Sequence, residues 1–190
     1  MRTAKEFLNV ALNAIRCIPH VIIFMSLKNK SRIKADIESS LKNLNKDYKT
    51  YFGLLYLLSF SRGFRSLFYY RTRPYSFFLP FICPGQSNLY IQTKQIGEGM
   101  KIMHGFATAI GAESIGNNCT IYQQVTIGGT DAGAPTIKDN VTIYAGAVIF
   151  GKITIGNDVT IGANATVYTN VPDNSSVLPG TSKVFRWKKR

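Results

Sequence analysis

A six-residue periodicity of isoleucine and valine runs through the second half of the chain and limits its possible folds. Large aliphatic residues fall six apart at Ile137, Ile143, Ile149, Ile155, Ile161 and Val167, after Ile115, Ile121 and Ile127 and after Ile96 and Ile102. Most are followed four residues later by a second small or branched residue, at Cys119, Val125, Val141, Ala147, Ile153, Val159, Ala165 and Val171. This period matches neither a helix nor simple strand alternation, so each hexad is predicted to be one short strand and a turn. Because stacked hexads bury a continuous interior that no single hexad could bury, the sequence predicts a parallel β-helix, which we call the coil.

Two irregular stretches interrupt this period. The step from Ile102 to Ile115 is one residue longer than two hexads, and the step from Ile127 to Ile137 is four residues longer than one. The second stretch contains the glycine-rich segment GGTDAGAPT and is predicted to leave the coil as a loop. Insertions into a repeat tend to lie on its functional face, so we expect the functional site near these two stretches.

The sequence divides into three regions: an N-terminal helical region at 1–85, the coil at 86–182 and a basic tail at 183–190. Spacings of three and four between apolar residues predict helices over 4–17, 31–46, 47–58 and 62–71. Pro74, Pro80 and Pro84 then break any regular helix before the coil begins. The predicted fold is therefore mainly β, with an α-helical region in front.

Positive charge is concentrated outside the coil. The chain carries a net charge of +13, yet the coil holds more acidic than basic residues. Such asymmetry predicts an anionic partner, either nucleic acid or a membrane surface. Apolar runs at 21–25, 51–60, 64–70 and 74–83 alternate with the basic residues, which favours peripheral contact with an anionic membrane over nucleic acid. The alternative is that these runs form the core of a helical domain packed on the coil.

The same runs are each shorter than the roughly 20 apolar residues of a spanning helix, so no transmembrane segment is expected. The first 13 residues lack the pattern of a signal peptide. The expected location is the cytoplasm, with the inner face of the cytoplasmic membrane as a possible site of attachment.

Few residues can carry chemistry. Cys17, Cys83 and Cys119 are scattered without metal-ligand spacing, and Cys119 is expected to be buried inside the coil. The two histidines, His20 and His104, are too few for a three-histidine zinc site, so no metal is expected. His104 lies in the first irregular stretch, and a histidine there can act as a general base near neutral pH.

Several segments resemble a known family. These are KIMHGFATAIG around His104, IGNNCTIYQQVTIGG, IKDNVTIYAGAVIFGKITIGNDVTIGANATV, VPDNSSVLPGTSKV and, before the coil, GFRSLFYYR. Together they resemble the hexapeptide-repeat acyltransferases with a left-handed parallel β-helix, and most of all the serine acetyltransferase branch. The resemblance implies a homotrimer that binds acetyl-coenzyme A, as cosubstrate, in grooves between neighbouring subunits.

The resemblance also assigns residues. His104 matches the catalytic histidine, which would deprotonate an acceptor hydroxyl for attack on the thioester. Residues matched to coenzyme binding are Gly128, Gly129, Ala145 and Ala163, with Lys183, Arg186 and Lys188 as candidates for its phosphates. Side chains available to hydrogen-bond an acceptor are Tyr122, Gln123, Gln124 and Asp131. The residue that orients His104 is left open between a backbone carbonyl, Glu98 and Glu113.

Three departures from the serine acetyltransferase pattern affect the expected acceptor. Met103 replaces an aspartate before the catalytic histidine, Gly133 and Ala134 replace an Arg-His pair, and Leu89 replaces an upstream aspartate. These departures favour a neutral sugar hydroxyl as acceptor, in the assembly of a bacterial capsule, O-antigen or exopolysaccharide. The alternatives are a serine O-acetyltransferase of cysteine biosynthesis and a non-catalytic trimeric scaffold.

Overall fold

The computed structural model describes residues 2–180, with side chains from Leu8 onward. Five helices come first: α1 (Arg2–Ser26), α2 (Ser31–Asn43), α3 (Thr50–Phe60), α4 (Arg62–Thr72) and the short α5 (Leu79–Ile82). The first strand of the coil begins at Leu89. The helical region and the coil therefore follow one another in the order that the sequence predicts.

Helix α1 is longer than expected. It continues through Pro19 and the apolar run 21–25 to Ser26, where the sequence pattern predicted an end at residue 17. As a result the stretch Leu8–Ser26 is long and apolar enough to cross a membrane, although 22% of it is buried in the fold. The sequence analysis counted the run 21–25 by itself, whereas the structure joins it to the preceding apolar residues in one helix.

The coil consists of three parallel sheets, and successive strands along the chain up to Val167 belong to sheets A, B and C in turn. Sheet A contains β1 (Leu89–Ile91), β4 (Thr108–Ile110), β7 (Thr126–Gly128), β10 (Val148–Phe150) and β13 (Thr166–Val167). Sheet B contains β2 (Gln95–Ile96), β5 (Ser114–Ile115), β8 (Thr136–Ile137) and β11 (Thr154–Ile155). Sheet C contains β3 (Lys101–Ile102), β6 (Thr120–Ile121), β9 (Thr142–Ile143), β12 (Thr160–Ile161) and β14 (Ser176–Val177). The strands wind as a left-handed β-helix of about five turns, which confirms the predicted fold.

The six-residue period fills the interior of the coil. Equivalent aliphatic residues stack in register from turn to turn, as Ile102 on Ile121 and Ile121 on Ile143 do in sheet C. The smaller residues four positions later are also inside, and Cys119 is fully buried as predicted. Burial raises the pKa of the Cys119 thiol to about 11. The predicted interior is thus confirmed at both positions of the hexad.

The first irregular stretch is built differently from the prediction. Ile110, which the period did not include, occupies the inward position of sheet A and stacks on Ile127. The step from Ile102 to Ile110 is two residues longer than a hexad, and the step from Ile110 to Ile115 is one residue shorter. Two extra residues therefore lie in the turn from sheet C to sheet A, which we call the C–A corner, and the step that follows is one residue short.

A buried ion pair fastens the helical region to the coil. Nε of Arg71 in α4 donates to Oδ2 of Asp36 in α2 at 2.9 Å, and both side chains are at least 95% buried. The guanidinium also donates to the carbonyl oxygen of Ile96 at 2.7 Å, and Asp36 accepts from the backbone N–H of Met100 at 2.8 Å. Burial raises the pKa of Asp36, although Arg71 and the N–H of Met100 oppose that shift. Two helices and the first coil turn thus meet at one charged centre.

A second buried polar group lies inside the helical region. His20 of α1 is fully buried, and its Nε2 is 2.9 Å from the hydroxyl of Tyr69 in α4. That hydroxyl also donates to the carbonyl of Cys83. Burial and the nearby Arg65 and Arg16 lower the pKa of His20 to about 4. This contact holds one face of α1 against the rest of the region.

Candidate active site

His104 lies on the outside of the enlarged C–A corner of the first coil turn. Its φ is +65°, followed by +71° at Gly105 and +51° at Ala107, so the backbone turns tightly in the left-handed region. The N–H of Gly105 donates to the carbonyl of Met103 at 2.8 Å and closes the turn. His104 is exposed at this turn. Eight other non-glycine residues in the described part of the chain also have a positive φ, seven of them in the coil, so this conformation belongs to the tight turns of the coil.

Two glycines allow the helical region to approach this turn. A Cβ on Gly63 of α4 would lie 3.0 Å from the carbonyl oxygen of Ile102, and one on Gly105 would lie 2.8 Å from the Ile102 side chain. Gly105 also requires its positive φ. Because neither position has room for a side chain, α4 packs directly against the backbone that carries His104.

A cavity of about 520 Å³ opens between the helices and this turn. Its walls include Asn43 of α2, Phe60 at the end of α3, Arg62 of α4, and Met103, His104 and Phe106 of the coil. Ser40, Ser61 and Gln86 add further polar groups. The volume is within the range of small-molecule sites, and the lining combines aromatic rings, hydrogen-bonding groups and one guanidinium.

Below His104, equivalent residues of successive turns form a column along the coil. Because Ile102, Ile121, Ile143 and Ile161 are in register, the residues two positions later stack as His104, Gln123, Ala145 and Ala163. At about 4.8 Å per turn, the column extends about 14 Å from His104 to Ala163. The two alanines leave a shallow strip beside the stacked rings of Tyr122 and Tyr144, whose centroids are 4.9 Å apart.

The structure thus brings five of the predicted residues together with His104. Gln123 is its nearest neighbour in the column, and the buried Oε1 of Gln123 has no hydrogen-bond partner among the described residues. Tyr122 borders the column, and Ala145 and Ala163 continue it. Gln124 follows at the same corner with a φ of +60°, and its N–H donates to the carbonyl of Phe106.

Three predicted residues lie at another corner of the same subunit. Gly128 ends strand β7 of sheet A, and Gly129 and Asp131 follow in the loop that leads to sheet B. Thr130 and Gly133 close this loop with two backbone hydrogen bonds of 2.9 and 3.0 Å. The loop that the sequence placed beside His104 is therefore separated from it, within one subunit, by the width of sheet A.

Three further expectations concern the coenzyme phosphates, the residue that orients His104 and metal binding. Lys183, Arg186 and Lys188 lie outside the described residues. Neither Glu98 nor Glu113 hydrogen-bonds the ring of His104 among the residues described: Glu98 accepts from the hydroxyl of Ser31, and the Glu113 N–H donates to Pro135. No cluster of metal-binding side chains occurs in the described part of the chain.

The residues at two of the three departures, Met103 and Leu89, contact neighbouring parts of the fold. The Met103 sulfur accepts from Nδ2 of Asn43 at 3.5 Å, and Leu89 packs against the coil interior. Sequence analysis missed Asn43 and Arg62 as site residues, because only the docking of α2 and α4 places them beside His104. The GFRSLFYYR segment, which contains Gly63 and follows Arg62, was the one available signal.

Comparisons with known proteins agree with this fold. Residues 134–169 match the family model of the bacterial transferase hexapeptide (six repeats). Serine acetyltransferase of Bacillus subtilis is 45% identical over 101 residues, which cover 50% of this chain and 46% of that relative. The chain thus aligns with less than half the length of this curated relative.

Solved structures extend the similarity into the helical region. Serine acetyltransferase isoform 3 of Entamoeba histolytica, in complex with cysteine, matches 84% of this chain and 61% of its own with a TM-score of 0.65 and 27% identity. A serine acetyltransferase in complex with CoA matches 81% of this chain and 68% of its own, with a TM-score of 0.63 and 26% identity.

These relatives correct the expected acceptor. They are serine acetyltransferases, so the expectation of a sugar O-acetyltransferase in polysaccharide assembly is wrong. That expectation counted charged residues missing from the coil and its loop, but it did not count Arg62 and Asn43, which the helices contribute to the cavity. The expectation of an acyltransferase agrees with the relatives. The chain contains hexapeptide repeats at 134–169 and is similar to serine acetyltransferases in both sequence and fold.

Proposed function

We propose that the protein is a serine O-acetyltransferase that uses acetyl-coenzyme A, with His104 as the general base. The observation that carries this proposal is the position of His104, held outward by a left-handed turn, where the cavity under the helices meets the column of small residues. One side of His104 can thus receive an acceptor and the other an extended thioester. The similarity to serine acetyltransferases supports the choice of serine.

The proposed reaction follows from general base chemistry. A ring nitrogen of His104 accepts the proton of the serine hydroxyl as its oxygen attacks the acetyl carbonyl. The resulting tetrahedral intermediate collapses when the carbon–sulfur bond breaks. The coenzyme thiolate then takes the proton from the imidazolium, which leaves O-acetylserine, free coenzyme A and neutral His104.

Arg62 is the proposed partner of the serine carboxylate. Among the described residues that line the cavity, Arg62 is the one that belongs to the Lys, Arg, Asp and Glu group, and a guanidinium can bind a carboxylate through two hydrogen bonds. Asn43, Ser40 and Gln86 offer oxygen atoms to the serine ammonium group. The acceptor site would thus be made by helices, whereas the base belongs to the coil.

We further propose that the active protein is a homotrimer. Gly128, Gly129 and Asp131 lie at a different corner from His104, so they can border the same site only if a neighbouring subunit supplies them. The groove for the coenzyme would then run along Ala145 and Ala163 between two coils. Light scattering should give a mass of about 63 kDa, three times that of the 21.1 kDa chain. An active monomer would contradict this assembly.

The function is tested by measuring thiol release from acetyl-coenzyme A as serine is varied. Arg62→Gln removes a charged hydrogen-bond partner, so we expect the KM for serine to rise about 10- to 100-fold with kcat changed only a few-fold. Lys138→Gln removes a positive charge from an exposed position on the coil and is the matched control. Equal KM values for Arg62→Gln and Lys138→Gln would reject Arg62 as the carboxylate partner, and absence of serine-dependent release would reject the function.

A further inference from the structure

Helix α1 presents an apolar stripe to solvent along its whole described length. Large side chains on this stripe are exposed at Leu8, Leu12, Ile15, Ile18, Ile22 and Met25, and Ile15 is 76% exposed. Their spacing of three and four residues places them on one side of the helix. The described part of the protein therefore leaves the side chains of this stripe open to solvent.

The opposite face of α1 is fixed to the protein. Val10, Cys17, His20 and Phe24 are buried, and α1 packs against α3 and α5. His20 is also held by the hydroxyl of Tyr69. A spanning orientation would have to separate this face from α3 and break that contact. The helix is thus suited to lie in the plane of a membrane interface, with one apolar side toward the lipid.

The segment around α5 extends the apolar surface. Tyr75, Phe77, Phe78, Phe81 and Ile82 are all exposed, and Phe81 reaches 81%. Because α5 contacts α1, the two groups of exposed side chains belong to adjoining elements. Phenylalanine and aliphatic side chains are common on the lipid-facing side of interfacial segments. We call the exposed residues of α1 and of 75–82 together the apolar face.

A cavity lined by arginines adjoins these elements. It has a volume of about 330 Å³ and is bordered by Arg16 of α1, Arg62 and Arg65 of α4, Ser59, Phe60 and Pro84. No acidic residue is among these lining residues. Three guanidinium groups around one space are suited to a phosphate.

Arg65 is the unusual member of this group. It is 94% buried, and Nη1 donates to the carbonyl of Leu58 at 2.9 Å, yet its buried Nε has no acceptor among the described residues. No described carboxylate forms an ion pair with it. A buried cation without a counter-charge is costly, and an anion entering the cavity would remove that cost.

The sequence around both features is free of acidic residues. Neither 7–35 nor 48–97 contains Asp or Glu, and together they contain eleven Lys and Arg residues. An anionic surface would therefore meet no local repulsion, whereas self-association of this region would bring like charges together. Charge thus favours a lipid surface over a second copy of the chain.

We infer that the apolar face docks on an anionic phospholipid membrane, with a lipid phosphate entering the cavity of Arg16, Arg62 and Arg65. The stripe of α1 lies parallel to the membrane and the rings of 75–82 insert among the lipid chains. The guanidinium of Arg62 also lines the cavity of the proposed serine site, whereas Ile15 and Arg16 do not line that cavity and test the docking separately.

The test is co-sedimentation of the full chain with vesicles of phosphatidylcholine, with and without phosphatidylglycerol. We expect binding to the anionic vesicles, at least about tenfold weaker binding for Ile15→Ser, and about fivefold weaker binding for Arg16→Gln. Leu178→Ser is the control for Ile15→Ser, because both side chains are 76% exposed and Leu178 is on the coil. Lys152→Gln is the control for the lost charge. Both controls should bind as the wild type does.

Three outcomes would overturn the inference. The first is equal sedimentation of Ile15→Ser and Leu178→Ser, or none for the wild type. The second is a phosphate site without lipid, shown by thermal stabilisation with inorganic phosphate that Arg16→Gln abolishes while vesicles bind neither protein. The third is a mass by light scattering that falls for Ile15→Ser with vesicle binding unchanged, because the apolar face would then join copies of the chain.

Discussion

Replacing Asp36 with asparagine tests how the helical region is held over the cavity. The substitution keeps the shape of the side chain and an oxygen that can accept from Met100, but it leaves the guanidinium of Arg71 buried without its counter-charge. Breaking a buried pair in this way costs about 3 to 5 kcal/mol. For a chain of this size the melting temperature should fall by about 10 °C.

The raised pKa of Asp36 sharpens this prediction. Since burial outweighs the attraction of Arg71 for the carboxylate, the pair adds little net stability, and the cost of Asp36→Asn comes mainly from the unpaired Arg71. Asp36→Asn combined with Arg71→Gln should therefore cost less than the sum of the two single changes. Thermal and urea unfolding followed by circular dichroism measure these differences.

An exposed ion pair of the coil provides the control. Lys138 and Asp173 are 3.8 Å apart, and both side chains are about half exposed. Lys138→Gln should change the free energy of unfolding by less than about 1 kcal/mol. If Asp36→Asn and Lys138→Gln had equal effects, the reasoning about the buried pair would be refuted.

Two further predictions concern buried groups of the helical region and coil. Because the pKa of His20 falls from its usual 6.5 to about 4, the unfolded chain binds more protons between these values, and the free energy of unfolding should be about 2 kcal/mol lower at pH 5 than at pH 7. His20→Gln should remove most of this pH dependence in urea unfolding, and an unchanged dependence would contradict the assignment. Burial raises the pKa of both Cys17 and Cys119 to about 11, so at pH 8 a thiol reagent should react with the native protein far more slowly than with the unfolded chain. Rapid modification of all three cysteines in the native protein would show that the described packing is wrong.

The coil could be predicted from sequence because its signal is local and repeated. Each hexad carries the same inward residue, so an error at one position leaves the rest unaffected. Ile110 was missed because the enlarged corner before it changes the spacing, and the pattern alone could not distinguish one extra residue from two extra and one missing. The end of α1 was predicted at residue 17, whereas the helix continues through Pro19 to Ser26.

The site was predictable only in part, for a physical reason. His104 could be proposed from the sequence because it combines a scarce residue type with an irregular stretch of the repeat. Arg62 and Asn43 belong to helices that the sequence places far from it, and they reach the cavity only through the packing of Gly63 on Ile102 and the ion pair of Asp36. The expected sugar acceptor followed from counting the coil residues without these contributions from the helices.

The most direct test of the central claim is the formation of O-acetylserine by the wild type and by His104→Asn. Both proteins are incubated with acetyl-coenzyme A and serine, and the product is followed by mass spectrometry, with circular dichroism confirming that both are folded. Loss of general base catalysis should lower kcat about 100- to 10,000-fold for His104→Asn. If a folded His104→Asn formed O-acetylserine as fast as the wild type, or if the wild type formed none, the proposed function would be contradicted.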